Sequence, residues 1–266
     1  MRDHGLEAIL QQALDDGGRV WAVGDVHGFH ATAERLLEML NLGPEDHVVF
    51  LGDLIDRGPG SCEAVASVRR HPRCWSVKGN HEAMMVEQFT PERLNNADMD
   101  LQLWFHNGGR ATVDGYIRAH TDIDEVLDVD AMWAHVADDR AWMTSLPTHM
   151  VLDRWRLVHA GYDPQGDMTA PDERALLWIR DAFHRATQPV DPYRTVVFGH
   201  TPTVSIPPQG STRWGEVYQS SLCLDDGRPS MIGLDTCLYH RSDAPRRLTA
   251  FDLQSGEVRQ VDRLEA

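Results

Sequence analysis

The chain has 266 residues, and its content of 42% hydrophobic and 25% charged residues is ordinary for a globular protein. No apolar run reaches the roughly 18 residues that a membrane-spanning helix needs, and the charged start lacks the apolar segment of a secretory signal. We therefore expect a cytoplasmic protein with no membrane partner. The formal net charge of −16 argues against nucleic acid as the main partner, because an acidic surface cannot replace the counterions of a phosphate backbone. Charge alone would favour substrates that carry basic residues, and the sequence does not indicate an oligomeric state.

The first 80 residues alternate short β-branched and aromatic runs with helical patterns. The three runs each end in glycine and predict strands: Arg19–Gly24, His47–Gly52 and Arg73–Gly79. Between them, apolar residues at i, i+3 and i+4 predict helices over 31–40 and 61–70. Strand–helix–strand units of this length indicate right-handed crossovers and a parallel sheet, so the fold class is α/β.

The middle of the chain is helical in character. Four helices are predicted, over Glu82–Gln88, Asp98–His106, Ala111–His120 and Asp130–Met143. We interpret residues 83–146 as a helical cap inserted into a single domain that spans 1–266. Tryptophans at helical spacing in this segment, such as Trp104, are typical of core packing rather than of ligand stacking.

Strands return after the helical segment. A hairpin is predicted from His149–Leu152 and Trp155–His159, followed by a strand over Thr195–Phe198. Residues 213–261 alternate short apolar runs with turns and predict largely antiparallel β-structure. The four cysteines show no C-x-x-C spacing, which favours free thiols over a zinc site.

Polar residues follow the strands where each strand ends. Asp25, Asp53 and Asn80 come after the three N-terminal strands, and successive parallel strands place such residues at one carboxyl edge of the sheet. His27 lies two residues after Asp25 and can point to the same side of the chain. His159 and His200 follow two later strands.

These six residues predict a two-metal cage, in which the Asp53 carboxylate bridges both ions. Mixed oxygen and nitrogen ligands suit Mn²⁺, Fe or Zn²⁺ better than Mg²⁺ or Ca²⁺. Two ions that lie about 3.5–4 Å apart can share a hydroxide and clamp phosphoryl oxygens. The predicted reaction is direct attack on phosphorus, with no phosphoenzyme.

Neighbouring residues supply proton transfer and anion binding. His81 is adjacent to Asn80, and Asp56 can orient it as a cation that protonates the leaving group. The alternative is that His81 is a seventh metal ligand. Arg57 can grip phosphate oxygens, and Arg180 is a second candidate clamp, unless it forms only a surface ion pair with Asp181.

The sequence resembles the phosphoprotein phosphatases of the calcineurin-like metallophosphoesterase superfamily. The matching signatures occur in family order: GDVHG (24–28), GDLIDRG (52–58), GNHE (79–82), HAG (159–161) and GHTP (199–202). FHNGGRATVDGY (105–116) and LLWIRDAF (176–183) resemble segments of bacterial members, which usually favour Mn²⁺. The resemblance implies a β-sandwich flanked by helices (a four-layer α/β/β/α arrangement) with metals at one edge, and the residue roles given above. Two features depart from the family pattern: Cys237 stands where relatives often have glycine, and the stretch 205–230 is unusually long.

Three functions are compatible with these residues. The first is hydrolysis of phosphoserine or phosphothreonine monoesters, with phosphotyrosine as a further substrate. The second is symmetrical bis(5′-nucleosyl)-tetraphosphate hydrolysis, whose enzymes share the signatures but tend to have a small residue in place of Asp56 and Asp in place of Glu82. The third is a non-catalytic metal- or phosphate-binding protein, which predicts a damaged site, whereas this chain retains every expected group.

Overall fold

The computed structural model describes residues 1–94, 102–208, 212–241 and 243–266. The helices are α1 (His4–Asp15), α2 (His30–Leu40), α3 (Ser61–Arg70), α4 (Asn80–Gln88), α5 (Pro91–Leu94), α6 (Gln102–His106), α7 (Gly109–Ala119), α8 (Val129–Ser145), α9 (Glu173–Trp178) and α10 (Asp181–His184). The strands are β1 (Val20–Val23), β2 (His47–Phe50), β3 (Cys74–Ser76), β4 (His149–Val151), β5 (Trp155–Val158), β6 (Thr195–Phe198), β7 (Tyr218–Gln219), β8 (Met231–Gly233), β9 (Arg247–Asp252) and β10 (Val258–Asp262). The first part of the predicted helix Asp98–His106 lies outside the described residues.

Two mixed five-stranded sheets form the centre of the fold. Their orders are β10-β9-β1-β2-β3 and β4-β5-β6-β8-β7. β1, β2 and β3 pair in parallel, as the sequence predicts, while β9 and β10 add an antiparallel edge. The predicted hairpin is confirmed, because β4 and β5 pair antiparallel.

Alternation along the strands builds the layers. Trp21 and Val23 of β1 face a core that the helices cover, whereas Val20 and Ala22 face a core between the two sheets. This is the period-2 pattern of a strand buried on both faces. The outer face of the second sheet likewise packs against α9 and α10. The expected helix–sheet–sheet–helix sandwich is therefore confirmed.

The helical segment packs on the outside of the first sheet. Trp104, Tyr116 and Val136, from α6, α7 and α8, are buried in the same core as Trp21. Trp133 and Trp142 are partly buried against it. The tryptophans therefore pack in a core, as the helical spacing predicts.

The C-terminal stretch differs in part from its prediction. β7–β8 and β9–β10 are antiparallel pairs, but β8 joins β6 in parallel. β8 can run parallel to β6 because a long connection, residues 199–230, separates the two strands. Local turn signals do not indicate this pairing. Within the described residues, no helix has the length and apolar character needed to cross a bilayer, and the four cysteines are free thiols.

Candidate active site

The predicted site residues meet at the carboxyl edge of both sheets. Asp25 follows β1, Asp53 follows β2, and Asn80 begins α4 just after β3, while His159 and His200 follow the parallel strands β5 and β6. Five of the predicted residues have positive φ angles between 49° and 73°: His27, Asp53, Asp56, Arg57 and His200. Non-glycine residues rarely adopt this conformation, and it concentrates at functional sites.

The first group of potential ligands surrounds His27. Its Nδ1 donates a hydrogen bond to the carbonyl oxygen of Ile55 at 3.1 Å, so Nε2 presents a lone pair. That atom lies 3.8 Å from Oδ2 of Asp25 and 3.7 Å from Oδ2 of Asp53. All three side chains are buried.

The second group surrounds His159. Its Nδ1 donates to the carbonyl oxygen of Leu51 at 2.7 Å, which again leaves the Nε2 lone pair. Nε2 lies 2.8 Å from Oδ1 of Asn80, 3.1 Å from Nδ1 of His200 and 3.4 Å from Oδ1 of Asp53. Asp53 therefore contributes one carboxylate oxygen to each group.

This donor arrangement fits divalent cations. Ligand atoms of Asp53, His159 and His200 lie within 4.8 Å of one another, and so do those of His27, Asp53 and His81. Asp25 adds a carboxylate oxygen 3.8 Å from His27. Backbone carbonyls fix the tautomers of His27 and His159, as outer hydrogen bonds do for metal-ligating histidines. Buried oxygen and nitrogen acceptors then lie within 4 Å of one another, and positive charge between them would relieve their repulsion.

The charges of the cluster are set by burial and by one another. Burial, with the charges of Asp235 and Asp53, raises the pKa of Asp25 well above its usual value. Burial also raises the pKa of Asp53, but the neighbouring His159 and His81 outweigh it and the net direction is downward. Burial lowers the pKa of His27, His159 and His200, which favours the neutral imidazoles that metals require.

His81 lies beside this cluster with its own partner. Its Nδ1 is 2.6 Å from Oδ2 of Asp56, and its Nε2 is 3.7 Å from Oδ2 of Asp53. Burial lowers the pKa of His81, but the charge of Asp53 and the hydrogen bond with Asp56 outweigh it, so the pKa is raised overall. A protonated His81 suits an acid role. Its Nε2 is also close enough to His27 and Asp53 to share an ion with them, so the geometry keeps the ligand alternative open.

The two predicted arginines differ in position. Arg57 lies against the site, with Nη1 in contact with Nε2 of His27 and Nη2 3.1 Å from Nε2 of His81. Arg180 is exposed between α9 and α10 and donates from Nη1 to Oγ1 of Thr201 at 2.9 Å, next to His200. Asp181 lies 3.8 Å from Arg185 instead.

Sequence reasoning missed the residues that hold Asp53 and Asp56. Oε1 and Oε2 of Glu82 accept hydrogen bonds from the backbone N–H groups of Leu54 and Asp53, at 2.8 and 2.9 Å. The four-residue GNHE signature contained this signal, since a glutamate three residues after a helix N-cap commonly accepts backbone N–H groups. Asp56 accepts from Trp104 Nε1 at 2.8 Å and from Thr112 Oγ1 at 2.6 Å, contacts that no local pattern indicates.

Asp235 is a further buried carboxylate that the sequence did not single out. Its Oδ1 accepts the backbone N–H of Cys237 at 3.1 Å, and its Oδ2 has no hydrogen-bond partner among the described residues. Burial raises the pKa of Asp235 to about 6. Cys237 has a φ of 69°, a backbone conformation that favours glycine.

Comparisons with known proteins identify related chains. The chain is 25% identical over 218 residues to serine/threonine-protein phosphatase 2 of Escherichia coli strain K12, covering 79% of this chain and 88% of the relative. It is 42% identical over 148 residues to the symmetrical bis(5′-nucleosyl)-tetraphosphatase of Methylococcus capsulatus, covering 54% of this chain and 44% of the relative. A solved structure described as a putative diadenosine tetraphosphatase matches with a TM-score of 0.60 and 21% identity, over 94% of this chain and 95% of its own. The family model for calcineurin-like phosphoesterases matches residues 18–230. The chain therefore belongs to the calcineurin-like phosphoesterase family.

Proposed function

We propose that this protein is a metal-dependent phosphoprotein phosphatase that hydrolyses phosphoserine and phosphothreonine monoesters, with phosphotyrosine as a further substrate. The observation that carries the proposal is the placement of His81. It lies between Asp53 and Asp56, directly beside two buried groups of potential metal ligands. The similarity to a bacterial serine/threonine-protein phosphatase over most of both chains supports the same function.

We assign the metal roles from the two groups. Asp25, His27 and Asp53 would hold one ion, and Asp53 with Asn80, His159 and His200 would hold the other. The mixed oxygen and nitrogen donors favour Mn²⁺, with Fe or Zn²⁺ as alternatives. Bound ions would supply Lewis acidity towards the attacking water and the phosphoryl oxygens.

The chain's own residues bind the phosphate and move the proton. Arg57, between the two histidines, would neutralise phosphate oxygens through its guanidinium fork, and Arg180 would approach from the side of Thr201. His81 would donate its Nε2 proton to the leaving oxygen. Asp56 would hold Nδ1 of His81 and stabilise its cationic form.

The test is turnover by protein from which metals have been removed and then restored. Chelation should abolish hydrolysis of p-nitrophenyl phosphate and of a phosphothreonine peptide, and Mn²⁺ should restore both. His200→Ala is expected to lose metal and activity together. Full activity in the presence of a strong chelator, with no metal in the protein, would refute the proposal. Turnover of any kind would exclude the non-catalytic alternative.

The second candidate is symmetrical bis(5′-nucleosyl)-tetraphosphate hydrolysis. It is favoured by the 42% identity to such an enzyme, although the chain spans less than half the length of that relative. Diadenosine tetraphosphate and a phosphothreonine peptide should be compared by kcat/KM on the same preparation. A kcat/KM that is at least a hundredfold higher for the nucleotide would make this the better assignment.

The single domain over 1–266 and the cytoplasmic location stay predictions, which limited proteolysis and cell fractionation can test.

A further inference from the structure

We propose that a cavity beside Arg57 binds a second anionic group of the substrate, so that the enzyme prefers phosphopeptides with acidic residues next to the phosphorylated one. This rests on the proposed phosphatase function. The cavity has a volume of about 650 Å³ and lies between the α6–α7 connection and the segment after β8. Its lining includes Arg57, Phe105, His106, Arg110, Asp114, Tyr239, His240 and Arg241.

The cavity continues directly from the candidate phosphate site. The Arg57 guanidinium stacks 3.9 Å from the centre of the Tyr239 ring and also contacts His81. The Tyr239 ring packs edge-on against His27 at 4.8 Å. A substrate whose phosphate meets Arg57 therefore has its neighbouring groups at the mouth of this cavity.

The charge of the cavity is opposite to that of the whole molecule. The chain carries 41 acidic and 25 basic residues, but three arginines line this one cavity. Among the described lining residues, Asp114 supplies the carboxylate. Its Oδ2 lies 4.0 Å from Nε of Arg110, which is a weak contact. Arg110 and Arg241 are both exposed, so each can present its guanidinium fork to a carboxylate or phosphate.

His240 gives the cavity wall a further polar group. Its Nδ1 is buried without a hydrogen-bond partner among the described residues, and its ring packs against Trp214 at 4.5 Å. Phe105, 37% exposed, supplies an apolar face on the other side. A wall with cationic, imidazole and aromatic groups suits an acidic side chain followed by peptide backbone. It does not suit the substrates with basic residues that net charge alone would favour.

The experiment compares three phosphothreonine peptides that differ only in the residues flanking phosphothreonine, which are Asp, Ala or Lys. Wild-type protein should show the lowest KM for the Asp peptide, and this KM should rise with salt. The double variant R110Q/R241Q should raise KM for the Asp peptide about tenfold, since charged hydrogen bonds are lost. Its kinetics on p-nitrophenyl phosphate, which has no second anionic group, should be unchanged. R35Q, an exposed arginine paired with Glu38 on α2, is the matched control and should behave as wild type.

The outcomes separate the cavity from the catalytic proposal. Equal KM values for the three peptides in wild-type protein, or an equal loss of all substrates in the double variant, would overturn the inference. A double variant that loses only diadenosine tetraphosphate turnover would assign the cavity to nucleotide phosphates and would equally overturn the peptide preference. Calorimetric binding of the same peptides as non-hydrolysable phosphonates tests the cavity without turnover, so a failure of the phosphatase proposal remains distinguishable.

Discussion

The indole Nε1–H of Trp104 donates to Oδ2 of Asp56 at 2.8 Å, and the same carboxylate oxygen holds Nδ1 of His81 at 2.6 Å. A residue of α6 thus fixes the partner of the proposed acid. Because Trp104 is fully buried in the core under α7 and α8, the packing of the insertion sets the position of Asp56. Helix α6 and His81 are therefore linked through one buried carboxylate.

His81→Asn should lower kcat by about 10²–10⁴, the range for loss of a general acid, with metal content unchanged. Metal analysis alongside p-nitrophenyl phosphate kinetics measures both. Equal loss of metal and activity would instead make His81 a ligand.

Since Asp53 and Asp56 raise the pKa of His81, activity should fall as pH rises through that pKa. Asp56→Asn should move this alkaline limb to lower pH.

Trp104→Phe should lower kcat by about three- to tenfold, because it removes one hydrogen bond to a charged acceptor while keeping an aromatic ring in the core. Trp133→Phe is the matched control, since Trp133 packs on the same ring of Phe89 at 5.2 Å without a contact to Asp56 among the described residues. Steady-state kinetics and metal content should be measured for both. Equal effects of the two changes would show that only packing matters.

Gly108→Ala should raise KM for phosphate esters about tenfold. Gly108 has a φ of 107° and accepts a hydrogen bond from the backbone N–H of Arg57 at 3.1 Å, and a Cβ would lie 2.6 Å from Cγ of Arg57. The arginine would have to move away from the site. Gly227→Ala is the control, because Gly227 has a φ of 85° with nothing within 4 Å of an added Cβ. It carries a similar backbone cost, about 1–2 kcal/mol, without displacing Arg57. Unchanged kinetics in Gly108→Ala would contradict the role given to this contact.

Asp139→Ala should lower the free energy of unfolding by about 2–3 kcal/mol, the cost of losing hydrogen bonds to a buried charged group. The Asp139 carboxylate accepts from Tyr116 Oη at 2.6 Å and pairs with Arg69 at 2.5 Å, which ties α8 to α7 and α3. Asp138 contacts the same Arg69 at 2.8 Å but its side chain is 65% exposed, so Asp138→Ala should have little effect on stability. Urea denaturation of both variants compares them. A similar loss of stability in the two variants would contradict a stabilising role for the buried network that joins α3, α7 and α8.

His149 should make the fold sensitive to acid. Burial lowers the pKa of His149 to about 4, and its Nδ1 lies 2.7 Å from Oη of Tyr162. The unfolded chain binds the proton near pH 6.5, so stability from the neutral ring is present above pH 6.5 and is lost as pH falls towards 4. His149→Gln should flatten this part of the stability profile, measured by urea denaturation between pH 7 and 4. The exposed His4→Gln should leave the slope unchanged, and equal slopes in wild type and His149→Gln would contradict the assignment.

Much of the metal cluster was predictable from local sequence. Asp25, Asp53 and Asn80 follow strands of one parallel set, and any parallel arrangement of those strands brings them to one edge. His159 and His200 were singled out because each follows an apolar strand, and the structure shows those two strands to be parallel neighbours. Asp56 and His81 lie 25 residues apart, in the segments that follow the neighbouring parallel strands β2 and β3, so the same edge brings them together.

The sequence by itself determined the strand-end residues, since strand periodicity and turn chemistry are local and repeat along the chain. Only the tertiary structure decided that Trp104 and Gly108 would reach Asp56 and Arg57, that Asp235 would be buried beside Asp25, and that β8 would run parallel to β6. Those contacts depend on how the insertion and the C-terminal strands pack on the sheets. Packing of segments far apart in the chain leaves no period or spacing in the sequence.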